Sequence, residues 1–227
     1  KGLKAMFSFE AWWQILTTKL PVFFQGVGTT VELALCTAIF GTLLGIVVAL
    51  LRMSRVKLLK VLAGAYIEFL RGTPLLVQVL IVFYGLPQMG VKLPRMTAGT
   101  VALVINSAAY MAEIVRSGIQ AIDGGQTEAS RSLGMNGAQT MIYIILPQAI
   151  KNILPAIGNE FISIIKESSI LYTIGIYELT YQANKLASTN FRYLETLTIS
   201  ALIYFVLTFT ASRLLGMLER RMRRGDR

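Results

Sequence analysis

Residues 33–51, LALCTAIFGTLLGIVVALL, run without a single charged side chain. About 20 such residues are needed to cross the hydrocarbon of a bilayer. A chain entering that medium must satisfy its backbone polar groups internally, so this run has to be a helix. The residues that follow, RMSRVKLLK, carry Arg52, Arg55, Lys57 and Lys60. Basic clusters next to a span mark its cytoplasmic side.

Four further segments read the same way: residues 61–86, 97–118, 144–165 and 197–215. The second span contains Glu68, Arg71 and Pro74, and the fourth is expected to be broken by Pro147 and Pro155. The composition agrees, because 54% of the 227 residues are hydrophobic and 15% are charged, and the mean hydropathy is +0.60. The expected class is an all-α integral membrane protein with five transmembrane helices. Residues 7–24 mix Trp12 and Trp13 with Glu10, Lys19 and Pro21. They read as an interfacial helix lying along the membrane, the alternative being a tethered arm. The expected organisation is an N-terminal helix or arm over 1–24, a permeation domain over 25–219 and a basic tail over 220–227. Parity then fixes orientation. With the 52–60 loop inside, the N-terminus is outside, and five crossings bring the tail, with Arg220, Arg221, Arg223, Arg224 and Arg227, back inside.

The net charge of +10 follows from these flanking clusters and calls for no nucleic acid. Cys36 is the single cysteine and lies in an apolar run, so a small buried hydrophobe is expected and no disulfide. There is no histidine, which makes a zinc or haem site unexpected. The first residue is Lys, so the sequence reads as trimmed or processed, and no signal peptide is recognised.

Residues 124–140, GGQTEASRSLGMNGAQT, interrupt the apolar pattern, with only Leu133 and Met135 bulky and apolar. Parity places them in the cytoplasm. Thr127 is the expected N-cap of a short helix over 128–133, with Glu128 and Ala129 in its first turn. Gly134 offers a left-handed stop. Asn136 is the expected cap of a second helix, with Gln139 completing a capping box. Ala129 and Leu133 share one face, with Glu128 and Arg131 beside it.

Glu128-Ala129, Gly134 and then Ile144-x-Leu146-Pro147 resemble the EAA motif of ABC importer permeases. Ser130 stands where many members carry a second Ala. FLRGTPLLVQ, AAYMAEIVRSGIQAI and LPQAIKNILPAIGNEFISIIKESSI extend the resemblance to the polar-amino-acid subfamily. It implies a MetI-like, type I importer fold. It also implies a second permease subunit, here a homodimer, a cytoplasmic ATPase dimer gripping the elbow 124–147, and an extracytoplasmic amino-acid-binding protein. The elbow residues implied to couple are Glu128, Ala129, Arg131, Leu133, Gly134 and Met135. The sequence has no G-x-x-x-x-G-K-[ST] loop, so ATP and Mg are expected on the partner. The implied location is a bacterial or archaeal inner membrane.

Ionisable residues within a span face the interior and point to function. Asn159, Glu160, Ser163, Lys166 and Glu167 share one helical face. Glu160 calls for a positive partner, a substrate ammonium or guanidinium; the alternatives are pairing with another basic residue or facing water in a dimer seam. Asn106, Ser107 and Tyr110 share a face of the third span with Glu113, and serve either a ligand or a neighbouring helix. Gln78 is the second span's polar candidate. Glu113 with Arg116, and Glu68 with Arg71, are spaced to pair as structural or gating elements. Lys166 and Glu167 suit an outer gate or a docking contact. The expected cargo is a polar, basic amino acid, the alternatives being glutamine, glutamate or cystine. A gradient-driven secondary transporter is the reading from a different class, and a membrane scaffold that docks proteins without transporting is a third.

Overall fold

A single helix, α1 (Phe9–Arg52), opens the chain and organises the rest. The structure, a computed structural model, describes residues 7–223. After α1 come α2 (Lys57–Gly72), α3 (Leu75–Gln88), α4 (Arg95–Gln120), α5 (Gly124–Ser132), α6 (Gly137–Ile174), α7 (Leu179–Asn190) and α8 (Tyr193–Arg223). Four of them, α1, α4, α6 and α8, are long and apolar enough to cross a membrane, and α2 with α3 makes a fifth span if the bent pair is one crossing.

The expected boundary at residue 24 is not a helix end. Residues 9–24 continue straight into the first span, with Ser8 as N-cap accepting from the Ala11 amide. At 1.5 Å per residue the 44 residues of α1 span about 66 Å, twice the hydrocarbon thickness. Pro21 lies inside this helix without ending it. The inner end of this N-terminal half is sequestered by protein: Ile15 and Phe23 pack on Leu179 and Ala183 of α7 and Ile199 of α8.

Along its second half α1 lies against α4 at close range. A Cβ added at Gly41 would meet Ser107 Oγ at 2.9 Å, and one at Gly45 would meet the Ala108 carbonyl oxygen at 3.0 Å. The facing residues of α4, Ser107, Ala108, Met111 and Ala112, are buried and mostly small. This is the small-residue seam that lets two helix backbones approach in lipid, where apolar burial supplies no net drive. Val48, Ala49, Ala63, Ile67, Ala112, Val115, Ala149 and Ile153 complete one core from α1, α2, α4 and α6.

The second span departs from expectation. It is not one helix but two, bent by 107° between Gly72 and Leu75. The residue before a proline is excluded from the helical region, and Thr73 is extended, with ψ at 148°, ahead of Pro74. The fourth span is the converse case. Pro155 sits inside α6 without interrupting it, and Pro147 follows a π-helical stretch, Thr140–Ile145, whose wider turn replaces the expected break. The end of α6 tightens into a 3₁₀ stretch, Ser168–Ile174. The start of the expected basic tail is helical: α8 runs on through Arg220 and Arg221 to Arg223, while residues 224–227 lie outside the described residues.

Candidate coupling elbow and intramembrane polar site

The polar island folds as a hinged pair of helical arms. The first arm, α5, starts a turn earlier than expected, because Asp123 rather than Thr127 is its cap: Asp123 Oδ1 accepts from the Gly125 amide at 2.7 Å. Leu133 closes the arm, and Gly134 takes φ 85°, a left-handed conformation that favours glycine. The Met135 amide then donates to the Ser130 carbonyl at 3.1 Å. Asn136 opens the second arm with the expected reciprocal bonds. Asn136 Oδ1 accepts from the Gln139 amide at 2.9 Å, and Gln139 Oε1 accepts from the Asn136 amide at 2.8 Å.

Ser130 does more than stay small. It is 3% exposed, and its hydroxyl meets Thr140 Oγ1 at 2.9 Å, tying the two arms together. Leu133 points the other way and is 84% exposed at the tip. Glu128, Ala129, Arg131 and Gly134 are also exposed, and Met135 is half-buried. The tip of the elbow therefore offers one bulky apolar residue on a rim of charge. Gln148 Nε2 reaches Gln126 Oε1 at 3.4 Å, linking the first arm to the spanning helix. A push on the tip has a connected path into α6.

In the membrane, the sequence-predicted polar residues divide into two groups. Gln78 and Asn106 belong to the α2–α3 break. The bend leaves the carbonyls of Leu70 and Thr73 without helical partners. Gln78 Nε2 donates to them at 2.8 and 3.2 Å and to Thr73 Oγ1 at 2.9 Å. Asn106 Nδ2 donates to Gln78 Oε1 at 2.9 Å. Both side chains are buried, so broken backbone at membrane depth is satisfied from inside the protein.

The second group lines the α4–α6 face. Ser107 Oγ approaches Glu160 Oε1 at 3.5 Å. Glu160 and Ser163 are half-buried and Asn159 is exposed, while Ile164 and Ile165 on the far side pack on Ala34 of α1. Glu160 forms no ion pair among the described residues. The charges acting on it are those of Glu167 and Arg71. Tyr110 lies beneath Arg71, whose guanidinium carbon is 5.3 Å from the ring centroid. Lys166 is exposed at the end of the stripe and Glu167 half-buried.

Of the two expected ion pairs, Glu113–Arg116 is present, with Arg116 also bonded to Gln120. Glu68 and Arg71 do not pair. The corner after α1 brings Arg52 back beneath α2, so Glu68 meets Arg52 at 3.7 Å instead, and Arg71 turns to Tyr110.

Two buried carboxylates escaped the sequence reading. Glu178 is 0% exposed at the start of α7. It accepts from the amides of Thr180 and Tyr181 at 2.8 and 2.7 Å and from Tyr204 Oη at 2.7 Å. Glu195 accepts from the Ser8 amide at 3.0 Å and from Arg192 at 3.2 Å, pinning the start of α1 to α8. The one available signal was their apolar surroundings in sequence, which reads equally well as a surface loop.

Residues 41–224 match the family described as binding-protein-dependent transport system inner membrane component. The arginine transport system permease protein ArtQ of Bacillus subtilis (strain 168) is 40% identical over 209 residues, covering 92% of this chain and 95% of that protein. The probable glutamine ABC transporter permease protein GlnM of the same organism is also 40% identical, over 92% of this chain and 96% of its own. The crystal structure of an amino acid ABC transporter with histidines superposes with a TM-score of 0.90 at 50% identity, covering 95% of this chain and 99% of that one. With its bundle of spanning helices and its hinged elbow, the chain belongs to the family of binding-protein-dependent transport system inner membrane components, the permease subunits of ABC importers.

Proposed function

We propose that the chain is the permease of an importer of basic amino acids, and that Glu160 is its cation-recognising residue. The observation that carries the cargo class is a half-buried carboxylate facing Ser107, with no ion pair among the described residues. An intramembrane carboxylate of this kind favours a ligand that brings its own positive charge. Asn159 and Ser163 on the same face supply hydrogen bonds, and Arg71 above Tyr110 offers a cation for the ligand's carboxylate. The relatives agree in kind: ArtQ is named for arginine, and the similar transporter was solved with histidines. GlnM, equally similar and named for glutamine, supports glutamine as the second reading, in which Glu160 accepts from the cargo's ammonium alone.

In this reading two copies of the chain pair in a bacterial or archaeal inner membrane, and a binding protein delivers cargo from outside. ATP and Mg are held by a cytoplasmic ATPase dimer docked on Leu133 and its charged rim. The N-terminus is outside and the basic C-terminus inside, an orientation that requires the bent α2–α3 pair to count as one crossing. Docking and undocking rock the elbow against α6, and alternating access follows.

The test is Glu160→Gln in the reconstituted complex, with ATP hydrolysis measured against arginine, lysine, histidine and glutamine. Loss of stimulation by the cations with glutamine retained is the expected result. Unchanged stimulation by arginine would remove Glu160 as the recognising group.

A further inference from the structure

An apolar cleft of about 600 Å³ lies between α1, α6 and α8. Thr42 and Leu43 of α1, Gly158 and Phe161 of α6, and Ala211 and Leu215 of α8 line it. Leu214 and Leu218 also line a second cavity of about 510 Å³, which ends on Arg220 and Arg221. These shared leucines set the two cavities side by side, the first lined by apolar residues and the second ending on two arginines. Both arginines are exposed, and neither has an acidic partner among the described residues.

The chemistry of the two adjoining cavities selects their occupant. A cleft at membrane depth is filled by whatever packs best, because lipid tails are as apolar as leucine. The basic end adds a requirement for negative charge at the membrane surface. A second copy of the chain meets the first requirement and fails the second. In a two-fold pair about the bilayer normal, equal depths face each other, so a second copy would bring its own Arg220 and Arg221 to the same level. We infer that the cleft holds an acyl chain of an anionic phospholipid whose headgroup phosphate is bound by Arg220 and Arg221. The lipid then wedges α8 against α6, the helix that carries Glu160 and leads from the elbow.

The assembled transporter in nanodiscs of mixed phosphatidylglycerol and phosphatidylcholine, analysed by native mass spectrometry, tests this. Wild type is expected to retain phosphatidylglycerol over phosphatidylcholine. Arg220→Gln with Arg221→Gln is expected to weaken that preference roughly tenfold, and lysine at both positions to keep most of it. Ala211→Phe, which fills the cleft without touching the charge, is expected to lower retention of both lipids. Equal retention of the two lipids by wild type would overturn the inference, as would a preference that survives removal of both arginines. Efficient disulfide crosslinking of Leu214→Cys between two copies would assign the cleft to a second permease instead. Displacement of the lipid by millimolar inorganic phosphate alone would show that the headgroup site acts without the cleft.

Discussion

Asn106 donates from Nδ2 to Gln78 Oε1 at 2.9 Å, joining α4 to α3 where the second span breaks. The pair holds the freed carbonyls of Leu70 and Thr73, with both side chains buried in the protein. Gln78→Leu is expected to lower stability by about 1–3 kcal/mol, the range for leaving buried polar groups unpaired. Thermal unfolding in detergent checks it. A double-mutant cycle with Asn106→Leu is expected to show coupling of about 0.6 kcal/mol or more. Additive effects would mean that the two side chains act separately.

The α1–α4 seam makes a paired prediction. Gly45→Leu places a side chain against Met111 and the Ala108 carbonyl, and is expected to destabilise by about 1–3 kcal/mol. Gly28 lies in the same helix with nothing within 4 Å of an added Cβ, so Gly28→Ala is expected to be neutral or slightly stabilising. The comparison is made by unfolding midpoints. Similar losses at both positions would deny the seam its role.

At the elbow, Ser130→Ala removes the partner of the buried Thr140 hydroxyl. A loss of about 1 kcal/mol is expected, with most of it restored by Ser130→Ala combined with Thr140→Val. Recovery in the double variant, followed by thermal shift, separates an unsatisfied hydroxyl from a simple cavity.

The exposed tip calls for a different measurement. Leu133→Asp leaves the fold intact, since the side chain is 84% exposed, and is expected to abolish co-purification of the ATPase. Gly134→Pro cannot hold φ 85°, because proline fixes φ near −65°. It is expected to lose both docking and the geometry of the arms. Retained docking in Leu133→Asp would place the ATPase contact elsewhere.

Glu178 sets a pH dependence. Burial raises its carboxyl above the ordinary 4.5, against the opposing hydrogen bonds from Thr180, Tyr204 and Tyr181. A folded state with the higher pKa binds the proton more tightly than the unfolded chain. Its stabilising contribution is full below 4.5 and is lost as pH rises through the folded value. Glu178→Gln does not titrate, so its stability profile is expected to be flatter than wild type above that point. Melting temperatures from pH 4.5 to about 8 decide it. Parallel profiles would rule out Glu178 as the group.

Hydropathy alone found the four unbroken spans because an apolar run of bilayer length has few other uses. The capping box at Asn136 and the left-handed stop at Gly134 were legible for a related reason. Local hydrogen bonds and the allowed range of φ are written within a few residues of sequence. The family was recognisable from the same stretch, because its motif is a set of residues at fixed spacings close together in sequence.

Tertiary structure decided what depends on a partner distant in the chain. The small residues at Gly41 and Gly45 gain meaning only beside Ser107 and Ala108. For Glu68, helix periodicity allowed Arg71, three positions on, and the corner after α1 supplied Arg52 instead. Gln78 read as a polar candidate and Asn106 as a group for a ligand or a neighbouring helix; only the break at Pro74 showed the carbonyls that they bond. Periodicity names the face a side chain shares along its own helix. Only packing determines which backbone, ring or charge waits across from it: Gln78 and Asn106 meet freed carbonyls, Arg71 meets the Tyr110 ring, and Glu160 meets Ser107.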